Sequence, residues 1–366
     1  MEVELEARED VPRWMAYATP VFTVLAALAV SGVALIALDV SPVAAYTTMF
    51  VTTSTSVFGL QETAIKAIPL ILTGLAVYLP LRAGLWNIGA EGQLFLGAIV
   101  GTWVAINVSL PMVALLPAMF LGAGLAGAVW AGVPGWLRAR YGINEIITTL
   151  LLVFVAGNLK NYLLRGPMQG GTGNFPQSAR FSDAATIPGL FGSGIHAGLV
   201  VAVAAGLLAY VLVTKTRLGF EIPFVGSNHE AAEQAGMSTR KVYVFVFVVG
   251  GALAAMGGIA EIAGIHGRFR AGFAPGYGFT AIVIALLGRN SALKVLLAAV
   301  FFALLIVGGS SMEVTHGVPA ALTEVIQALI ILFLITAEFF KRYRVGVSFD
   351  RGPAEEKAAP VAGGDD

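Results

Sequence analysis

A short polar stretch, GLWNIGAEGQ at residues 84–93, lies between two apolar runs of the sequence. Asn87, Glu91 and Gln93 place one carboxylate and two amides in it. Polar groups at membrane depth are costly unless they are paired or hydrated, so these residues are candidates for a transport path. The alternative is a water-exposed cytoplasmic turn, with Arg82 as its interfacial anchor.

Composition shows why this stretch is unusual. Of the 366 residues, 57% are hydrophobic and 12% are charged, and the mean hydropathy is +0.82. Soluble domains carry about 25% charged residues, so the chain is predicted to be an all-α polytopic membrane protein. Lys+Arg and Asp+Glu balance at 22 each, which predicts no nucleic-acid partner. Cysteine is absent and the four histidines are scattered, so no thiolate nucleophile, metal site or cofactor is predicted.

Apolar runs predict about ten transmembrane helices. They lie at about 14–38, 63–81, 92–108, 112–132, 146–164, 195–213, 242–264, 278–288, 295–310 and 319–340. The eighth run is too short for a full crossing and is predicted to be a half-helix. Residues 14–345 would form one transmembrane domain between a cytoplasmic N-terminus, 1–13, and a disordered cytoplasmic tail, 346–366.

The distribution of Lys and Arg predicts that both ends of the chain are cytoplasmic. If the ten spans alternate from a cytoplasmic N-terminus, 16 of the 22 Lys and Arg residues fall inside and 6 outside. The longest outside loop is then 165–194, and the longest inside loop is 214–241.

Two pairs of similar segments predict an internal repeat of inverted topology. Arg-Ala-Gly at 82–84 recurs at 270–272, and a Gly-rich polar break follows each copy. NEIITTLLLVFVA at 144–156 is similar to TEVIQALIILFLITA at 323–337. Inverted repeats place the substrate path at the repeat interface, where broken helices line it. Shared apolar composition is the alternative source of this similarity.

Aromatic side chains accompany both breaks. Trp86 and Phe95 in the first copy could stack on a base, and Phe273, Tyr277 and Phe279 are their equivalents in the second. Ordinary structural packing is the alternative for each. The predicted substrate path therefore comprises Trp86, Asn87, Glu91, Gln93, Phe273, Tyr277 and Phe279.

Other polar residues are given structural roles. Asn144 and Glu145 begin the fifth span, where Glu145 suits the helix dipole. His196 is expected to be hydrated at the outer interface, and Glu313 and His316 to be solvated in a short outside loop. Local pairing is expected near the outer end of the seventh span for Glu261, His266, Arg268 and Arg270.

The stretch GSNHEAAEQAGMSTRKV in the inside loop predicts a short helix. Asn228 is a candidate N-cap and Gly236 a candidate C-terminal glycine. Glu230, Ala231 and Ala232 begin a run of good helix formers. Such a helix could dock into a groove of a partner protein, or it could only connect two spans.

Four stretches resemble the membrane subunits of ABC importers for nucleosides, within the branched-chain amino acid and ribose permease superfamily. They are RAGLWNIGAEGQLFLGA (82–98), GINEIITTLLL (142–152), TRLGFEIPFVGSNHEAAEQAGM (216–237) and GYGFTAIVIALLGRNS (276–291). The resemblance covers about residues 60–340. The EAA…G spacing that ends at Gly236 resembles the loop that inserts into the ATPase subunit in that family. Ile222-Pro223-Phe224 departs from the basic residues expected there, and Pro223 is expected to limit helix.

The resemblance implies a transport subunit and not an enzyme. It would pair with a second, shorter permease in a prokaryotic cytoplasmic membrane, driven by two cytoplasmic ATP-binding subunits and supplied by an extracytoplasmic substrate-binding lipoprotein. The chain lacks the pattern GxxxxGK[ST], so ATP hydrolysis is expected on separate subunits. Nucleosides are the expected cargo, with a simple sugar or a branched-chain amino acid as alternatives.

Two other classes of protein stay open on the sequence alone. A stand-alone ion-coupled secondary transporter also suits inverted repeats and broken helices, although no span centre carries a clear acidic pair. A membrane scaffold that binds another protein through its long inside loop is the third possibility.

Overall fold

The computed structural model describes residues 2–7, 13–171, 175–190, 192–273, 276–289 and 291–348. Contacts divide the chain into two compact units, Met1–Pro42 with Ala321–Asp366, and Val43–Ala320. The fold is almost entirely helical, as the composition predicts.

The smaller unit combines apolar helix with a short β-ribbon. Its helices are α1 (Arg13–Ala37) and α14, which runs from Ala320 to Arg342. Strand β1 (Glu2–Ala7) pairs antiparallel with β2 (Tyr343–Ser348), so that Glu2 lies opposite Ser348. Alternation of apolar and polar residues in EVELEA and the valines of YRVGVS favour this pairing.

The ribbon corrects the prediction for the chain ends. Residues 346–348 of the predicted disordered tail lie in β2. The rest of the tail, 349–366, and residues 8–12 of the predicted N-terminal segment lie outside the described residues.

The larger unit holds the remaining helices, and most of them are long. They are α2 (Pro42–Tyr46), a π-helix (Thr47–Thr52), α3 (Thr53–Thr55), α4 (Val57–Arg82), α5 (Ala90–Asn107), α6 (Met112–Tyr141), α7 (Glu145–Arg165), a 3-10 turn (Asp183–Ala185), α8 (Gly198–Lys215), α9 (Arg217–Ser227), α10 (His229–Gln234), α11 (Thr239–Glu261) with a π-helical end (Ile262–His266), α12 (Tyr277–Leu287) and α13 (Ala292–His316).

Helix α4 is the centre of this unit. It packs against α8, α11, α12 and α13, and its residues from Ala67 to Leu81 are all buried. Close packing between apolar helices requires small residues where the backbones approach. At the crossing of α6 and α11, a Cβ on Gly127 would collide with the carbonyl oxygen of Gly251.

Every predicted span corresponds to a helix, which confirms the all-α polytopic fold. Within the described residues, seven helices are long and apolar enough to cross a membrane, judged by length and composition. They are α4, α6, α7, α8, α11 with its π-helical end, α13, and Ala320–Ala337 of α14. Helix α12 has only 11 residues, as expected of a half-helix. The count of ten crossings stays a prediction.

His196 is not hydrated as predicted. It precedes α8 with 2% of its surface exposed, and its ring lies against Gly264 and Gly198, where glycine leaves room for it. Burial lowers the pKa of His196 to about 4, so the imidazole is neutral near pH 7.

Two further local predictions are wrong. Glu313 and His316 lie in helix and not in a loop, because α13 continues to the left-handed Gly317, and His316 Nε2 is 2.8 Å from Thr48 Oγ1. Pro223 lies inside α9, where Thr216 caps the first turn and the missing N–H of proline removes only one helical hydrogen bond.

Candidate functional site

The first polar break is closed by its own side chains. Asn87 and Gln93, each 1% exposed, pair through both amides: Asn87 Nδ2 donates to Gln93 Oε1 at 3.0 Å, and Gln93 Nε2 donates to Asn87 Oδ1 at 2.8 Å. Asn87 also donates to the carbonyl of Ala76 at 3.2 Å and accepts from the N–H of Gly89 at 3.2 Å. The two amides therefore hold the chain between α4 and α5.

Glu91 joins the first break to the second. It is 3% exposed, its Oε1 accepts from the N–H of Gly276 at 2.9 Å, and its Oε2 accepts from the N–H of Gly278 at 2.6 Å. Gly276, the N-cap of α12, has a φ of 82° and no side chain that could cap the helix. The carboxylate of α5 thus satisfies orphan donors at the start of α12, where the helix dipole favours a negative charge.

The two helix starts are in backbone contact. A Cβ on Gly278 would collide with the backbone nitrogen and Cα of Glu91. The two Gly-rich breaks paired by the sequence comparison therefore meet in space, while the inverted repeat itself stays a prediction.

An ion pair crosses the bundle beside the second break. Lys66 Nζ on α4 lies 2.8 Å from Glu261 Oε1 at the end of α11, and Glu261 is 1% exposed. The Tyr277 hydroxyl lies 3.5 Å from the same oxygen, and His266 Nε2 lies 3.8 Å from it. Local pairing of Glu261 and His266 is thus observed, but the main partner of Glu261 is Lys66. A lysine inside an apolar run was the signal that could have identified it.

A second buried lysine reaches the same region from α7. Lys160 is 9% exposed, and its Nζ donates to the carbonyl of Ala271 at 2.8 Å and lies 4.2 Å from the ring centre of Phe95. Phe95 lies 6.3 Å from Phe273, and Phe273 lies 5.4 Å from Phe269, between ring centres. This cation–π contact and aromatic cluster tie α5 and α7 to the segment before α12.

Two aromatic residues of the predicted path remain exposed. Trp86 is 37% exposed and Phe279 is 44% exposed. The backbone N–H of Trp86 lies 3.4 Å from Glu145 Oε1, and Arg138 Nε lies 3.4 Å from Glu145 Oε2. Glu145 thus joins α6, α7 and the first break, while Asn144 caps α7 through the N–H of Ile146 at 2.8 Å.

Helix α10 has the caps that the sequence predicts. Asn228 accepts from the N–H of Ala231 at 3.0 Å. Gly236 has a φ of 79° and donates to the carbonyl of Glu233, while the N–H of Met237 bonds to the carbonyl of Ala232. These bonds form the usual glycine C-terminus of a helix. Ala232 is buried and Glu230 is exposed.

The segment before α10 is in contact with the first break. A Cβ on Gly226 of α9 would lie 2.6 Å from the carbonyl oxygen of Arg82, at the end of α4. A Cβ on Gly84, which has a φ of 73°, would lie 3.0 Å from the carbonyl oxygen of Gly226. Only glycines allow these two backbones to approach so closely.

Seven long apolar helices among the described residues, with buried carboxylates paired inside the bundle, are typical of a multi-pass membrane protein. The chain belongs to the family described as branched-chain amino acid transport system / permease component, whose family model matches residues 59–335. It is therefore an ABC permease.

Named relatives cover most or all of the chain. The glucose ABC transporter permease protein of Haloferax volcanii is 69% identical over 100% of this chain and 99% of its own length. The guanosine ABC transporter permease protein of Bacillus subtilis is 32% identical over 87% of the chain and 92% of its own length. The ribose import permease protein of Escherichia coli is 29% identical over 63% of the chain and 68% of its own length.

Proposed function

We propose that this chain is the permease subunit of an ATP-driven importer that moves glucose or a closely related hexose into the cell by alternating access. The observation that carries this cargo is the relative named a glucose permease, which is 69% identical over the whole chain. Nucleosides, the cargo expected from the sequence, are the second candidate, supported by the 32% identical guanosine permease. The stand-alone ion-coupled transporter is abandoned, because the family is one of ABC permeases.

The partners in this proposal are a second permease, cytoplasmic ATP-binding subunits and an extracytoplasmic substrate-binding lipoprotein. The chain would lie in a prokaryotic cytoplasmic membrane with both ends inside. The excess of Lys and Arg in the predicted inside segments supports this orientation.

Coupling to the ATPase would pass through a continuous set of contacts. Helix α10 offers exposed polar residues, including Glu230, to a groove of the ATPase. Movement of α10 and α9 would reach the end of α4 through the Gly226–Gly84 contact. From there Asn87 and Gln93 hold the entry to α5, and Glu91 connects α5 to α12.

This route gives the predicted path residues different roles. Asn87, Glu91 and Gln93 would shape the wall of the path, because their polar atoms are already bonded to the protein. Trp86 and Phe279 keep exposed rings and are the candidates for contact with cargo or with the second permease.

Uptake in cells that produce all subunits tests the cargo. Labelled glucose should accumulate with wild-type importer, and unlabelled glucose should compete better than guanosine, ribose or leucine. Accumulation of labelled guanosine that glucose does not inhibit would establish the second candidate instead.

Co-purification tests the coupling helix. Glu230→Lys should reduce the ATPase recovered with the permease, because it reverses an exposed charge on the proposed docking face. Glu313→Lys on α13 is the matched control and should leave recovery unchanged. Full recovery and full uptake with Glu230→Lys would contradict docking through α10.

A further inference from the structure

A cleft with mostly apolar walls and a few polar groups lies between α4 and α13, and its Lys66 belongs to the ion pair beside the second break. Its volume is about 470 Å³, within the range of small-molecule sites. Phe58, Glu62 and Lys66 recur every four residues along α4 and therefore share one face of that helix. The facing side of α13 contributes Ser310, Ser311 and Thr315, with Ile306, Val307 and Val314 as apolar wall.

The charged groups of the cleft are not paired with each other. Lys66 is directed to the buried Glu261, at 2.8 Å, although Glu62 is only one helical turn away. Among the residues that the structure describes, Glu62 has no ion-pair partner, and its carboxylate accepts no hydrogen bond. Glu62 lies one residue before the predicted span 63–81 and is partly exposed, so its carboxylate is free to bind a partner from outside the chain.

These groups specify the chemistry of a ligand. Glu62 accepts hydrogen bonds, Lys66 retains donors beyond the one used by Glu261, and the hydroxyls of Ser310 and Thr315 do both. Phe58 is 70% exposed and offers a flat apolar face. Since Glu261 neutralises Lys66, Glu62 leaves the cleft with a net negative charge, which disfavours anionic ligands. The hydroxyl groups of α13 and the exposed face of Phe58 suit a neutral molecule rich in hydroxyl groups.

We infer that the cleft between α4 and α13 is a cargo subsite that binds a neutral monosaccharide during transport. Glu62 is its principal hydrogen-bond acceptor, and the α13 hydroxyls contact the opposite edge of the sugar. This inference rests on the proposed import of a hexose and adds the place where the permease holds it.

Thiol protection tests the subsite directly, because the natural chain has no cysteine. The assembled importer in lipid vesicles would carry Ser310→Cys and be treated with N-ethylmaleimide, with and without glucose. Glucose should slow modification at least threefold. Ser54→Cys, at an exposed position of α3 outside the cleft, is the control and should react at the same rate in both conditions.

Each outcome of this experiment decides between the proposals. Protection by guanosine but not by glucose would overturn the sugar class of the subsite. If glucose is taken up normally but protects nothing at position 310, the subsite is wrong and the proposed function stands. If wild-type importer takes up no glucose, the proposed function itself fails.

A substitution of the carboxylate gives a second readout. Glu62→Gln retains the shape of the side chain but loses its charge, so sugar transported per ATP hydrolysed should fall about tenfold, the loss of one charge-assisted hydrogen bond. Glu313→Gln, on α13 outside the cleft, should leave this ratio unchanged. An unchanged ratio in Glu62→Gln would overturn the role of Glu62.

Discussion

The two polar breaks differ in how their backbone groups are satisfied. In the first, Asn87 and Gln93 bond to each other and to the chain around them, so the segment before α5 is held by its own residues. In the second, α12 begins at a glycine cap without a side chain, and its first N–H groups bond to Glu91 of the other break. The first break is held mainly by its own two amides, with one further hydrogen bond from Trp86 to Glu145 of α7, while the second depends on the first.

This asymmetry changes what the polar stretch at 84–93 means. Its amides are structural, and its carboxylate is a link between two broken helices. A displacement of α5 must therefore move α12 or break two charge-assisted hydrogen bonds. Coupled movement of the two breaks follows from this contact.

The largest effect is expected where the two breaks touch. Gly278→Ala would drive a Cβ into the backbone of Glu91, and neither helix start can yield without losing its packing. We expect a loss of more than about 5 kcal/mol of stability, or no folded protein. Size-exclusion chromatography and thermal unfolding in detergent measure this. In the control Gly272→Ala, the added Cβ would have no other atom within 4 Å, so this variant should behave as wild type. A stable Gly278→Ala would refute the close contact.

The next effect concerns the ion pair beside the second break. Lys66→Met leaves the buried Glu261 without its cationic partner and with only the more distant Tyr277 and His266 beside it, which costs about 3–5 kcal/mol. Lys66→Met combined with Glu261→Gln should recover most of this loss, because no buried charge then lacks a partner. Thermal unfolding of the two single variants and the double variant gives a double-mutant cycle for this pair. Additive effects would show that the two residues do not interact.

Removal of the Glu91 carboxylate, which links the two breaks, should cost less stability than Gly278→Ala or Lys66→Met. Glu91→Ala leaves the N–H groups of Gly276 and Gly278 without their acceptor, at a cost of about 2–3 kcal/mol. Glu91→Gln keeps one acceptor oxygen and should lose about half as much. Hydrogen exchange should increase at the start of α12 while the start of α5 stays protected. Equal increases in hydrogen exchange at the starts of α5 and α12 would contradict the dependence of the second break on the first.

These contacts also separate what the sequence could predict from what it could not. Each of the ten apolar runs coincides with a helix, and Asn228 and Gly236 marked both ends of α10, because periodicity and caps are local properties. Glu91 and Gly278 lie 187 positions apart, and Lys66 and Glu261 lie 195 apart. Such pairs depend on which helices pack together, and one sequence alone does not specify that packing.

His196 is a second case in which helix packing, and not local sequence, decides the environment of a residue. Its position at the start of a span predicts an interfacial, hydrated ring. The structure buries it because Gly264 and Gly198 leave a space that only the packed helices create. Local sequence places the residue correctly just before a helix, but its burial also depends on Gly264, which lies on another element.

The smallest effect is expected in the first break. Asn87→Ala removes the partner of Gln93 and the acceptor for the N–H of Gly89, at a cost of about 1–2 kcal/mol. Because the first break is held locally, hydrogen exchange should increase near residues 85–89 and stay unchanged at the start of α12, where Glu91 is intact. This is the converse of the pattern expected for Glu91→Ala. If Asn87→Ala instead exposes α12 as strongly as Glu91→Ala, then the two breaks form one cooperative unit and the dependence runs in both directions.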